Sequence, residues 1–169
     1  GDSPMSSILK VDTIQNTGGT TGLTIDNGGS ALNPNDVGWF VYKKAIQTAS
    51  GASEVVTWQG VRLNQGSGFQ TSGANANKFV DPVHGLYTCY GTFIAVNDNI
   101  DHDISLKYNG TTHVTIRNGQ STAHESYSFS WVGEMNANDT LHISIDTSGR
   151  SVYGDSSNRW TTWCGHLIG

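Results

Sequence analysis

Alternation of apolar and polar residues with a period of two recurs through most of this chain, and it restricts the fold more than any other feature. Ile104, Leu106 and Tyr108 alternate with Asp103, Ser105 and Lys107; Tyr127, Phe129 and Trp131 alternate with serines; Leu141, Ile143 and Ile145 alternate with His142, Ser144 and Asp146. Successive side chains of a strand point to opposite sides, so each run reads as a half-buried strand with its polar members toward solvent. No window carries the i, i+3, i+4, i+7 stripe of a helix. Asn109-Gly110 and Asn118-Gly119 lie between such runs, and Asn-Gly readily takes the positive φ angles that tight hairpins require. Only 14% of the 169 residues are charged and 21 are glycine, the composition of turn-rich β structure. Strands recurring at this spacing imply an all-β sandwich, in a chain long enough to bury a real core.

The run from Gly85 to Val96 differs from the others. Tyr87, Cys89 and Phe93 occupy one face, and Leu86, Tyr90, Ile94 and Val96 the other. A strand apolar on both faces has to be covered on both, the second either by loops of the same sandwich or by a subunit interface, and closed homo-oligomers are the usual form of the latter.

Within this stretch a longer pattern emerges: Trp58, five residues, Asn64, four residues, Phe69, nine residues, Phe79, five residues, Gly85, one residue, Tyr87. This spacing resembles the signature of the globular head of complement C1q and the tumour-necrosis-factor-like superfamily. Cys89 and Gly91 stand where that family usually has further aromatics, and the gap before Phe79 is about three residues longer than usual. A second stretch, Val152 to Ile168, resembles the family's last loop and closing strand, and the turn at Asn138-Asp139 supplies a third likeness. The resemblance covers residues 37–169. It implies a jelly-roll β-sandwich forming a threefold homotrimer, with Trp58, Phe69, Phe79, Tyr87, Phe93 and Trp163 in the core. It also implies a subunit interface on Leu86, Tyr90, Ile94 and Val96, joined by His166, which replaces an apolar residue of the family's last strand.

Residues 5–36 read separately. Ile8 to Ile14 and Leu23 to Asp26 form two short alternating runs joined by glycine turns, and a lone two-stranded ribbon is marginal in water without partners. The opening Ser7-Ile-Leu-Lys-Val-Asp-Thr-Ile14 resembles the N-terminal segment of bacteriophage fibre and virion-appendage proteins, where three copies intertwine or attach to the particle. Gly1 to Pro4 reads as a cloning remnant, making Met5 the expected start without a secretion signal.

A formal net charge of -5 with nine scattered basic residues argues against nucleic-acid partners. No apolar run reaches the about 18 residues needed to span a membrane as a helix. Cys89 and Cys164 could pair across two central strands, although small buried thiols are the commoner outcome.

The chain carries no Gly-x-Ser-x-Gly elbow, phosphate-binding glycine loop, His-Glu-x-x-His or Cys-x-x-Cys, so a non-enzyme is expected. The six histidines lack zinc-site spacing. Asp98, Asp101 and Asp103 lie in an Asn/Asp loop whose oxygens suit calcium, the one candidate cofactor, though such clusters are commonly solvated turns. In the closing loop, Asp155, Asn158, Arg159 and Trp160 combine an indole with hydrogen-bonding groups, a combination that suits sugars. The expectation is a trimeric, non-enzymatic virion fibre or appendage. Its N-terminal segment would meet other virion proteins, and its head would meet a host-surface glycan or protein. The alternatives are a purely structural trimerisation or decoration module, or a secreted extracellular ligand of the C1q/TNF kind, for which Asn109-Gly-Thr and Asn138-Asp-Thr would be glycosylation sequons.

Overall fold

The computed structural model describes residues 11–15, 17–19, 21–25, 31–32, 36–96, 101–118 and 124–168. The chain divides into two compact units, Gly1–Asp36 and Val37–Gly169. In the first, β1 (Thr13–Gln15), β2 (Thr21–Ile25) and β3 (Ala31–Leu32) form an antiparallel sheet in that order. Three strands thus replace the two-stranded ribbon expected from the sequence, and the stretch Ser7 to Lys10 lies outside the described residues. The turn between β1 and β2 contains Gly19 at φ +80°, a conformation that glycine adopts without steric cost.

Every regular element described in the second unit is a strand. In chain order these are β4 (Gly38–Tyr42), β5 (Gln47–Thr48), β6 (Glu54–Val55), β7 (Gly60–Gln65), β8 (Phe69–Gln70), β9 (Lys78–Val80), β10 (Gly85–Ala95) and β11 (His102–Tyr108). They continue with β12 (Thr111–Asn118), β13 (Glu125–Met135), β14 (Thr140–Ile145), β15 (Ser151–Val152) and β16 (Thr162–Leu167). One sheet runs β13, β10, β16, β4, β7, with β15 and β5 extending the β16 side of β10. The other runs β12, β11, β14, β9, β8, with β6 pairing the end of β14. Asn109 and Gly110 both take positive φ, 48° and 81°, and close the β11–β12 hairpin as their sequence demands.

The core between the sheets is aromatic. Trp39 stacks on Phe79 at 4.0 Å, meets Trp163 edge-on at 5.3 Å, and Trp58 reaches both Phe93 and Trp163 at 6.0 Å. Trp58, Phe69, Phe79, Tyr87, Phe93 and Trp163 are all buried. Asn64 closes the turn between β7 and β8 by donating to the Phe69 carbonyl and accepting the Phe69 N–H, both at 2.9 Å, which accounts for the spacing of those two residues. Gly91 occupies an aromatic position of the family pattern because a Cβ there would come within 2.7 Å of Phe129 and 2.8 Å of Phe93, which stack on one another. Gly165 is needed for a like reason, since a Cβ would lie 2.3 Å from the Trp39 ring.

Two expectations are corrected. β14 is buried on both faces: Leu141, Ile143 and Ile145 point into the core, and His142 and Ser144, expected toward solvent, are buried as well. Ser105 of β11, also expected outside, is fully buried. Here β14 is a central strand flanked by β11 on one edge and β9 and β6 on the other, and its outer face carries a mat of mutually bonded polar groups. Asp146 accepts hydrogen bonds from Ser105 Oγ and from Ser144 Oγ (2.7 Å) and pairs with Lys107 at 3.2 Å. The two cysteines are unpaired. Cys89 lies opposite Gly165, whereas Cys164 lies opposite Tyr90, so their side chains point to opposite faces of one sheet and cannot be bridged.

Candidate functional site

Two surfaces of the head gather the residues singled out in the sequence. The first is the outward face of the sheet containing β10. Along β10 the buried residues are Gly85, Tyr87, Cys89, Gly91, Phe93 and Ala95, leaving Leu86, Tyr90 and Ile94 on the other side. Strand pairing places Ser130, Tyr90, Cys164, Phe40 and Leu63 side by side, forming a band across five strands. Beside it run Val132, Thr88 and His166, then Leu86 with Ile168, whose N–H donates to the Leu86 carbonyl at 2.7 Å. Tyr90 is 50% exposed and Val132 59%, and Leu63, Leu86 and Ile168 are exposed too. Val96, just past the strand, is half-buried. At the rim His84 lies 3.3 Å from Glu134. On β13 this face presents Ser126, Ser128 and Ser130, small residues that leave room for close approach. An apolar face of this breadth is unusual on a lone domain.

The second surface lies where three segments meet, Tyr42–Ile46, Tyr153–Asp155 and Arg159–Thr161. Their junction is tight: Lys43 N–H donates to the Thr161 carbonyl at 3.0 Å, and a Cβ on Gly154 would fall 2.2 Å from the Ala45 carbonyl oxygen. Trp160, 47% exposed, stacks on Tyr153 at 5.3 Å, and His124 meets Tyr153 edge-on. Arg159 and Lys44 sit 5.1 Å and 5.7 Å from the centroid of the Tyr42 ring. Asp155, singled out as a candidate sugar-reading group, uses its Oδ1 to accept the N–H groups of Ser157 and Asn158 at 2.7 and 2.8 Å. Those backbone donors hold its carboxyl below the usual carboxylate range. Asp155 therefore shapes the loop that carries Asn158, Arg159 and Trp160. Tyr42, Lys44 and Tyr153 escaped the sequence reading because nothing in their local pattern announces that the distant Tyr42–Ile46 segment meets the closing loop.

Beneath this corner Lys43 is fully buried. Its Nζ donates to Gln47 Oε1 at 3.0 Å and to the Thr57 carbonyl at 2.9 Å, and burial pushes its ammonium down to about 8. The same Gln47 donates to Glu54 Oε1 at 3.0 Å, and Glu54 Oε2 accepts from Ser50. This chain of partners explains how a lysine survives inside.

The candidate calcium residues are not brought together. Asp98 lies outside the described residues. Asp103 is engaged in a two-point pair with Arg117, both contacts at 2.8 Å, and that guanidinium holds its carboxyl low. Asp101 is exposed, its backbone carbonyl accepting from Arg150 at 3.2 Å. Among the described residues no group of three or more potential metal ligands converges.

With this geometry in view, known proteins supply the comparison. No protein-family model and no curated protein matches the sequence. Solved structures do match. The globular domain of zebrafish complement 1qA superposes with TM-score 0.61 at 16% identity, covering 79% of this chain and 98% of the other. Murine APRIL gives 0.62 at 15%, covering 79% and 99%, and the Eiger TNF of S. frugiperda gives 0.59 at 10%, covering 79% and 93%. The fold is C1q/TNF-like. All three come from animals, and at these identities they establish the architecture of the C1q/TNF-like head and nothing finer.

Proposed function

We propose that the protein is a non-enzymatic homotrimer that forms part of a bacteriophage virion fibre or appendage, with the C1q/TNF-like head meeting the host surface. The observation that carries the trimer is the outward face of the β10 sheet, where Leu63, Phe40, Tyr90, Leu86, Val132 and Ile168 form one apolar expanse edged by serines. A second and third copy would remove that expanse from water, each buried Å² of apolar surface contributing about 25 cal/mol before the cost of association. His166 would then stand within the interface. The virion role draws on the likeness of the N-terminal segment to phage fibre proteins, with residues 5–36 meeting other virion proteins. Host binding draws on the exposed Trp160 corner, where three copies of a weak site held in one particle gain avidity without any new contact.

The test is the solution mass by light scattering at micromolar concentration, followed by binding of the labelled protein to a panel of bacterial strains. A mass of three chains and saturable, strain-selective binding are expected. A monodisperse monomer would overturn the interface, and a trimer that decorates no strain would leave the structural module as the function.

A further inference from the structure

We infer that the Trp160 corner is a site for acidic saccharides, in which a pyranose ring stacks on Trp160 and its carboxylate is received by Lys44 and Arg159. The inference rests on the reading of the head as a surface-binding module and names the chemistry that this site selects. Three observations lead to it.

The first is a prepared aromatic platform. Trp160 is stacked on Tyr153, itself braced edge-on by His124. The exposed indole is therefore held in one orientation before any ligand arrives, and a rigid aromatic plate loses little entropy when a sugar face docks on it.

The second is charge. The chain holds fourteen acidic and nine basic residues, and two cations elsewhere on the head are paired with carboxylates, Arg117 with Asp103 and Lys107 with Asp146. Lys44 and Arg159 have no such partner among the described residues, and both rest instead against the Tyr42 ring. Two exposed cations gathered on one ring, in a protein with an excess of negative charge, form a local positive spot. Arg159 in particular offers the planar fork that matches a carboxylate. The nearby negative group, Asp155, is turned to the backbone amides of Ser157 and Asn158.

The third is that the arrangement is built. Tyr42 lies against Gly60, where a Cβ would come within 2.3 Å of the ring, so the ring's seat depends on the missing side chain. The backbone N–H of Lys44 is held by Gln59 Oε1 at 3.0 Å. Arg159 and Trp160 are consecutive, so cation and indole stand within the length of an oligosaccharide. The stacking plate gives affinity for any pyranose, and the two cations select those that carry an anionic group.

The experiment compares polygalacturonate, alginate and hyaluronate with neutral dextran of similar length, at low and high salt, using the intact protein and the variants Lys44→Gln with Arg159→Gln, Trp160→Ala, and Lys78→Gln on the opposite sheet as a control for loss of positive charge away from the site. Light scattering first establishes that every variant retains the assembly of the parent. The expected result is binding of one or more uronate polymers and not of dextran, weakened by salt. The double variant and Trp160→Ala should each lose about tenfold or more, with Lys78→Gln unchanged. Dextran bound as well as the uronates, with no loss in the double variant, would overturn the acidic selection while leaving a sugar-binding head intact. Uronate binding indifferent to Trp160→Ala would overturn the placement of the site. No binding to any polysaccharide would overturn the inference outright, whereas the host-surface reading would still be judged separately by the strain panel.

Discussion

The outer faces of the two sheets make opposite use of the same architecture. On the β14 sheet, the groups pointing away from the core are polar and buried or half-buried: Ser105, Ser144 and Lys107 converge on Asp146, and His142 sits beside them. On the β10 sheet the corresponding groups are largely apolar yet exposed, with Tyr90, Leu86 and Val132 open to water. Ser105, Ser144 and Lys107 are satisfied by Asp146 and need no further cover, whereas the buried Nδ1 of His142 has no hydrogen-bond partner among the described residues. Apolar atoms have no such internal remedy and can be satisfied only by more protein. One face is finished by the monomer, and the other asks for a second copy.

The strongest way to break this contrast is to charge the open face. Tyr90→Glu places a carboxylate within the Leu63–Phe40–Cys164–Tyr90–Ser130 band. Its expected effect is loss of assembly, with the mass falling from three chains to one while the β circular-dichroism spectrum is kept, because a desolvated unpaired charge is very costly in an interface. A retained trimer would move the interface elsewhere.

On the closed face the expected effect is on stability alone. Burial raises the Asp146 carboxyl, but bonds from Ser105, Ser144 and Lys107 outweigh it and hold the group low. Asp146→Ala would leave several buried donors unmet and cost on the order of 1–3 kcal/mol in denaturant unfolding, with no change in mass. A change in mass would show that the polar mat also supports the interface.

Lowering the pH probes the same mat more gently. Burial pushes His142 from 6.5 down to about 4, with Lys78 and Lys107 adding to the shift and Asp146 opposing it. As pH falls through 6.5 the unfolded chain takes up a proton that the folded chain refuses until near 4. Stability is therefore full above that window and lost across it. The loss attributable to His142 should be on the order of 1–3 kcal/mol, and His142→Gln should flatten this part of the stability-against-pH curve. An unchanged slope would mean that the imidazole is not held neutral. The smallest effect is expected at the exposed Arg117–Asp103 pair, where Arg117→Gln should leave both melting temperature and mass unchanged, since a solvated ion pair contributes little.

How far the sequence reaches is seen best strand by strand. The β10 pattern was legible on both faces because large apolar groups of two parities can be read off directly. The β14 pattern was misread, because apolar-polar alternation reports chemistry and not cover: His142 and Ser144 look like solvent-facing groups until Asp146 and Lys107 close over them. The aromatic spacing from Trp58 to Tyr87 pointed to the core, but Trp39, which stacks on Phe79 and requires Gly165 beneath it, carries no local signal. Likewise Trp160 and Arg159 could be singled out from the closing loop, whereas Tyr153 joins them by stacking on Trp160 from the start of that loop, and Tyr42 and Lys44 join them only through contacts spanning more than a hundred residues of chain.

What the sequence alone determined was therefore the alternating strands β11, β13 and β14, the tight Asn109-Gly110 turn and the two-faced central strand β10, all of which follow from side-chain parity and local backbone preference. The tertiary structure decided which polar groups would be buried, why Cys89 and Cys164 face away from each other, and that two cations would share one tyrosine ring. These outcomes depend on which strands become neighbours, and strand neighbours are chosen by the packing of the whole sandwich.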